Sequence, residues 1–508
     1  MRKKLATIIS CVMLLVLTAC GSSQDGAVGS GQPAQENDQT DGVLRQLTLA
    51  YNTSDGIDPL YTTTDENKML VPLCYEPLFE LDNHYQPQPV LCESIEKTGT
   101  REYTITIRND VTFHSGEKLT ASDVVSSLNR ARKNDNSVYA EQLSGISSVK
   151  SRDGDVVIRL YQDNAQLASL LTVPIDRELE DSDIPDGTGA FQLIDDGGSY
   201  HLQKNENWHG SSISYCDSIA LVSVTDTTDA ENQFSSGEVS LLMRDDPEKN
   251  SVQSARYVYN TAGTRLHFLG INCDTEPYDT AKVRKALSML LDRESVISVC
   301  MSERADAAAL PMQNAPEDAA AASYDQEEAL KLLKSANIED IDDDGMLELD
   351  NGQDFVIDII YNQNYPTKGA VLEQYVQTLE KAGIQTNIQG LDYEDCQKKL
   401  RREAFELYYG ELDMQTDFDI SSLITSDGNR NFSGYYNKKL QRSLTAMRSA
   451  EDEAEYNDAV KAFAERFTDE SPIIPIAFER NMVYAAAQMP DGFDPWPTNV
   501  FHGMENWK

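Results

Sequence analysis

The sequence predicts an α/β protein built from layered sheets and helices in two or three domains. Three observations carry this. Stretches that alternate apolar and polar residues, the period of a half-buried strand, recur between stretches with apolar residues at helical spacing. The chain has 508 residues, 40% of them hydrophobic, enough to enclose more than one core. No repeat of constant period runs through it, which excludes a solenoid or a propeller.

The elements follow in order. Arg2, Lys3 and Lys4 precede an apolar run from Leu5 to Leu17, too short to span a bilayer, and Leu17-Thr18-Ala19-Cys20 ends it. Residues 1–19 therefore read as an export signal. The closing residues resemble a lipobox, in which Cys20 becomes the mature N-terminus and carries a diacylglycerol, two acyl chains being a stable anchor where one is marginal. Up to about Val43 the chain is polar, rich in Gly, Ser and Gln and free of aromatics. Residues 20–43 are thus the anchor and a flexible tether reaching on the order of a few tens of ångströms. No later stretch approaches ~18 consecutive apolar residues. The expected address is the extracytoplasmic face of the cell membrane.

Order begins with an alternating strand at Gln46–Tyr51 and the turn Asp55-Gly56-Ile57-Asp58-Pro59. Arg101–Arg108 alternates as a strand, a turn-rich stretch follows, and a helix is predicted over Ala121–Lys133 with Thr120 as its cap. Asp155–Tyr161 is a further strand, and Leu266–Asn272 is the apolar run of a buried one. Helical spacing runs over Lys282–Cys300, Gln326–Ser335, Ala370–Ala382, Lys438–Ser449 and Glu453–Thr468, with strands at Phe355–Tyr361 and Gln385–Gln389. Ala305–Ser323 carries Pro311 and Pro316 and is read as a loop.

Charge narrows the partners. With 84 acidic against 43 basic residues the formal charge is -41, and it is spread along the chain. Such a surface repels phosphate backbones, so no nucleic-acid partner is expected. Beyond Cys11 and Cys20 there remain Cys74, Cys92, Cys216, Cys273, Cys300 and Cys396. In an oxidising compartment these are buried small hydrophobes or the makings of one or two long-range disulfides. They show no zinc-ligand spacing.

Catalytic motifs are absent from the sequence, which holds no GxSxG elbow, HExxH, P-loop or dinucleotide GxGxxG. Its histidines, at 84, 114, 201, 209, 267 and 502, show no metal-ligand pairing. His114, in a turn after a strand, is expected to have a hydrogen-bonded structural role. No enzyme activity and no cofactor are expected. One cation motif stands out, since Asp340, Asp342, Asp344 and Gly345 open like a calcium loop, with Leu347 and Glu348 behind them. The twelfth position is Asn351, where a bidentate Glu belongs, and a strand follows in place of a helix. An acidic surface turn is the favoured reading, with calcium on Asp340, Asp342, Asp344 and Glu348 as the alternative.

The most specific signal is Tyr103–Ala131, YTITIRNDVTFHSGEKLTASDVVSSLNRA, where strand, turn and helix follow one another. Further segments come in fixed order: Leu73–Phe79 with Pro89–Ser94, Gly187–Phe191, Asn205–Trp208, Leu266–Ile297 and Ser471–Ile476. Together they resemble the family 5 extracellular solute-binding proteins, the oligopeptide, dipeptide and nickel binding components of ABC importers. The sequence departs from that pattern in two places. Ala190 stands where the family has proline, and Glu406–Ile424 lacks the tryptophan of the family's ligand segment.

The resemblance implies a two-lobed periplasmic-binding-protein-like fold of the large type II cluster, with mixed sheets flanked by helices and a ligand cleft between lobes. One lobe is expected over 44–263 plus 479–508, with a subdomain at about 60–185, and the other over 264–478. Hinge strands are expected near Leu266–Asn272 and Ile473–Phe478. In peptide-binding members an acidic residue in the segment matching Glu406–Ile424 receives the peptide's α-ammonium group. Asp417 is favoured for that role, then Asp413, then Asp419, because a buried ammonium needs a paired carboxylate. Tyr51, Asn52, Tyr408, Tyr409, Asn431 and Tyr435 are candidates for stacking and hydrogen bonding.

The implied function is a lipid-anchored monomeric receptor that passes oligopeptides or similar small solutes to an ABC permease driven by a separate ATPase. The alternative within the family is a nickel or metal-chelate binder. From other classes, the rivals are a secreted hydrolase with dispersed catalytic residues and a ligand-binding module that feeds a sensor.

Overall fold

The apolar runs around Leu266 and Ile473 become adjacent strands at the centre of the largest sheet. The computed structural model describes residues 43–508 apart from 246–251, 253 and 303, so the signal segment, Cys20 and the tether lie outside the described residues. This sheet has six strands, in the order Ala305–Ala307, Ile473–Glu479, Arg265–Ile271, Leu407–Asp413, Val356–Asn362 and Gln385–Leu391. Val356–Asn362 lies parallel to both Gln385–Leu391 and Leu407–Asp413, while Arg265–Ile271 is antiparallel to its two neighbours. All seven residues of Ile473–Glu479 are buried, the mark of a strand covered on both faces.

Two cores flank the sheet. Leu269, Ile271, Ile357, Leu407, Tyr409 and Ile474 pack with helices Ala281–Met289, Gln326–Ser335 and Pro366–Lys381. Leu266, Phe268, Tyr408, Leu412 and Phe478 pack with helices Lys438–Ser449 and Glu453–Glu470. Strand alternation thus sends neighbouring Tyr408 and Tyr409 into opposite cores.

Of the five smaller sheets among the described residues, three have three or four strands. Thr48–Asn52 pairs in parallel with Ser218–Val224, which continues antiparallel through Tyr200–Lys204 to Phe191–Asp195. Leu241–Arg244, Asn481–Ala485 and Tyr257–Thr261 form an antiparallel sheet. Cys92–Gly99, Glu102–Ile107, Asp155–Leu160 and Ile146–Arg152 form a meander, and helix Ala121–Lys133 covers it with Val124, Leu128 and Ala131. That helix starts where the sequence places it: the Thr120 N–H and hydroxyl both donate to Asp123 Oδ2, at 2.9 and 2.6 Å. Its capping arrangement uses a donor that a helix start otherwise leaves open.

Two expectations are corrected. The helix read over Lys282–Cys300 ends at Met289; Asp292 then caps a short helix, Arg293–Val296, that leads into a π-turn over Ile297–Met301. The interruption turns Arg293 inward, where its guanidinium donates to Ala308 O and Pro475 O, each at 2.9 Å, and to Ser288 Oγ at 3.1 Å. Apolar spacing continues across the break, so periodicity alone does not reveal it. In the Ala-rich stretch read as a loop, Ala305–Ala307 joins the edge of the large sheet beside Ile473–Glu479. The cysteines left open between thiols and disulfides are free thiols at all six described positions. Burial pushes the Cys74 thiol up to about 12.

The chain passes twice between the three-stranded and six-stranded sheets, through residues 262–264 and through Arg480. Both passages meet at one point. A Cβ on Gly263 would lie 2.0 Å from the Glu479 carbonyl oxygen, so only glycine fits. Strands Phe79–Leu81 and Pro87–Pro89 pair antiparallel, and the turn between them braces this crossing: Asn83 Oδ1 accepts the Ala262 N–H at 3.2 Å, and Tyr85 Oη donates to Ala262 O at 3.1 Å.

Candidate functional site

Charged side chains gather where the strands of the large sheet end beside this crossing. Val356–Asn362 and Leu407–Asp413 are parallel and finish on the same edge, and antiparallel pairing brings Arg265 opposite Asp413 there. Arg265 Nε donates to Asp413 Oδ1 at 2.8 Å, and its Nη1 lies 3.4 Å from Glu479 Oε2. His267, buried at 2% exposure, places Nδ1 3.1 Å from Tyr409 Oη and Nε2 3.6 Å from Glu479 Oε2. Lys368 Nζ sits 2.9 Å from Glu411 Oε2 and 4.3 Å from the centre of the Tyr365 ring. The carboxyl edge of an α/β sheet is the usual place for a ligand. This edge offers both signs of charge next to the crossing strands, which suits a solute carrying both.

Asp413 and Tyr409 are the sequence candidates that reach this edge. Asp417 and Asp419 lie in a second place, a crevice of about 30 Å³ lined by Asn164, Gln166, Arg448 and Tyr456. Asp417 accepts a hydrogen bond from Asn164 Nδ2 at 2.8 Å. Burial, and then the Asp419 charge, raise its pKa above the ordinary carboxylate range. Asp419 is paired with Arg448 and accepts the Ser421 N–H at 3.0 Å.

The other candidates make contacts within the fold. Tyr51 is buried with its ring 4.8 Å from that of Tyr200. The Asn52 N–H donates to Asn67 Oδ1 at 2.8 Å, and its own side chain accepts from Ser54. Tyr408 stands among Phe268, Phe405 and Phe432. Asn431 staples its loop through Thr425 O and Tyr435 O, while Tyr435 is buried against Glu470 and the Arg284 guanidinium. A strand or loop position fixes order along the chain but not which face of the fold a side chain joins.

Sequence reasoning missed Arg265, His267, Lys368, Glu411 and Glu479. One signal was present: Arg265 and Glu479 are charges at the ends of otherwise apolar runs, which is where a buried strand emerges at its edge.

Two further motifs have definite places. His114 has its structural role, with Nε2 3.0 Å from Gly189 O and a pKa lowered by burial. In the acidic loop, one oxygen each of Asp340, Asp342, Asp344 and Glu348 lie within 4.8 Å of one another. An all-oxygen set of that size fits a hard cation. The same carboxylates also accept the loop's own N–H groups, from Asp344, Gly345, Met346 and, onto Glu348, from Ile341 at 2.7 Å. Those bonds account for the acidic spacing by themselves.

Comparison with known proteins places this geometry in a family. The model described as bacterial extracellular solute-binding proteins, family 5 middle, matches residues 86–437. The oligopeptide-binding protein AppA of Bacillus subtilis is 23% identical, the alignment covering 100% of this chain and 99% of that protein. Among solved structures, the periplasmic murein tripeptide binding protein MppA in its unliganded open form gives a TM-score of 0.72 at 15% identity, over 92% of this chain and 96% of that one. The nickel ABC transporter protein from Bacillus halodurans also gives 0.72, at 20% identity, over 90% of this chain and 98% of that one. These likenesses establish the two-lobed periplasmic-binding-protein fold, with mixed sheets and flanking helices. With a family match across well over half of its length, the chain belongs to family 5 of the bacterial extracellular solute-binding proteins.

Proposed function

We propose that this protein is an oligopeptide receptor of an ABC importer, held at the outer face of the cell membrane by lipid on Cys20. Lobes of 44–263 plus 479–508 and of 264–478 close on the solute and present it to the permease. The crossing of two chain passages at Gly263 and Glu479, with an edge of mixed charge beside it, carries this reading. A two-stranded crossing lets lobes rotate about one point, and contacts made only when closed shift the population toward the closed form. A peptide is a zwitterion, so it matches an edge on which Arg265 and Lys368 stand among Asp413, Glu411 and Glu479. Its α-ammonium pairs with Asp417, or failing that with Asp413. The naming of AppA as an oligopeptide-binding protein supports the same solute class.

Native mass spectrometry of protein purified from its host tests this. Bound peptides of mixed sequence are the expected result. A bound nickel ion or metal chelate would replace the peptide with the family's other solute class, and steady turnover of added peptides would replace the receptor with a hydrolase.

A further inference from the structure

Besides the crossing, a second contact joins the two lobes. The stretch 162–169, which follows strand Asp155–Leu160, reaches residues 416–417 and the end of helix Lys438–Ser449. Asn164 Nδ2 donates to Asp417 Oδ2 at 2.8 Å, Thr416 Oγ1 to Ser169 O at 2.6 Å, and the Ala165 N–H to Arg448 O at 2.9 Å. Lys97 Nζ adds a longer bond, to Ser449 O at 3.3 Å. In each of these protein meets protein, so none needs a solute to bridge it.

The contact is narrow. Next to it the lobes part around a cavity of about 480 Å³, with Gln86, Gln88 and Lys97 on one wall and Glu451, Asp452 and Glu453 on the other. A junction built on a few hydrogen bonds and flanked by such space is far from the large apolar interface that fuses two bodies into one. Each bond has a small net worth, because water replaces it when the lobes part. The contact can therefore hold the lobes together and still release them.

We propose that residues 162–169 are a latch: through Asn164 on Asp417, Ala165 on Arg448 and Ser169 on Thr416 they hold the lobes closed without solute. Where Asp417 receives a solute's ammonium group, that group has to displace Asn164. The division into lobes is the one proposed above, whereas the solute class plays no part, because the test is made on protein dialysed free of solute and verified so by native mass spectrometry. Hydrogen exchange of the Ala165 amide, which is bonded across the lobes, reads the opening directly, and the buried Ile105 amide, inside the meander of the same lobe, reads global unfolding. In the full mature chain Ala165 is expected to exchange slowly. Asp417→Ala is expected to speed its exchange about tenfold, the loss of one charge-assisted bond, and Thr416→Val several-fold, with Ile105 unchanged in both. Both substitutions lie far from Ala165 in the chain and leave its intrinsic exchange rate alone. Exchange of Ala165 as fast as that of an unbonded amide in the parent, unchanged protection of Ala165 in either variant, or loss of Ile105 protection in step with Ala165 each overturn the latch, the last by making the contact part of the global fold.

Discussion

Gly263 and Glu479 touch backbone to backbone: a Cβ on the first would stand 2.0 Å from the carbonyl oxygen of the second. The two passages between sheets are thereby held at one point, with no side chain between them.

Gly263→Ala forces that point apart. Overpacking a fitted site costs about 1–3 kcal/mol. Urea unfolding is expected to show a loss in this range, with a weaker affinity for the transported solute. A variant as stable as the parent, with unchanged affinity, would mean that the crossing tolerates separation and is no tight hinge.

Asp417 tests the assignment of the peptide's ammonium group. Asp417→Ala is expected to weaken peptide binding by at least ~1 kcal/mol, the loss of a charge-assisted bond. Isothermal calorimetry with a co-purified peptide checks it, and an unchanged dissociation constant would move the role to Asp413.

Asp65 gives a pH signature. Burial, then the charge of Asp245, raise its pKa from 3.8 to about 6. The folded state holds this proton more tightly than the unfolded state. Its contribution to stability is fully present below about pH 4 and is lost as pH rises through about 6. Asp65→Asn, neutral at every pH, is expected to be more stable than the parent above pH 7 by on the order of 2–3 kcal/mol, with the gain vanishing at pH 4. Denaturant midpoints measured at both pH values decide it.

Arg293 holds the interrupted helix to the sheet. Its guanidinium is buried and satisfies Ala308 O and Pro475 O, and burial lowers its pKa to about 10. Arg293→Met keeps bulk but strands those carbonyls, each unsatisfied group costing about 1–3 kcal/mol. A loss of at least ~2 kcal/mol in urea unfolding is expected; a variant within ~0.5 kcal/mol of the parent would show that the carbonyls find other partners.

Much of the fold was legible where the pattern is local. Helix Ala121–Lys133 follows from Thr120 as cap and from helical apolar spacing, and helices Gln326–Ser335 and Lys438–Ser449 from the spacing alone. The site was legible only in part. Asp413 and Tyr409 reach the charged edge, but Tyr408, one residue away, is enclosed by Phe268 and Phe405 on the opposite face.

The sequence by itself determined the kinds and order of most elements, because capping, a period of two and a period of 3.6 are properties of neighbouring residues, and its motifs in fixed order carried the resemblance to the family. Only the tertiary structure decided that Arg265 meets Asp413 and Glu479, and that Asn164 closes over Asp417. Those partners are joined by strand register and loop packing between segments far apart in the chain, and a register shifted by one residue would exchange every inward side chain for an outward one.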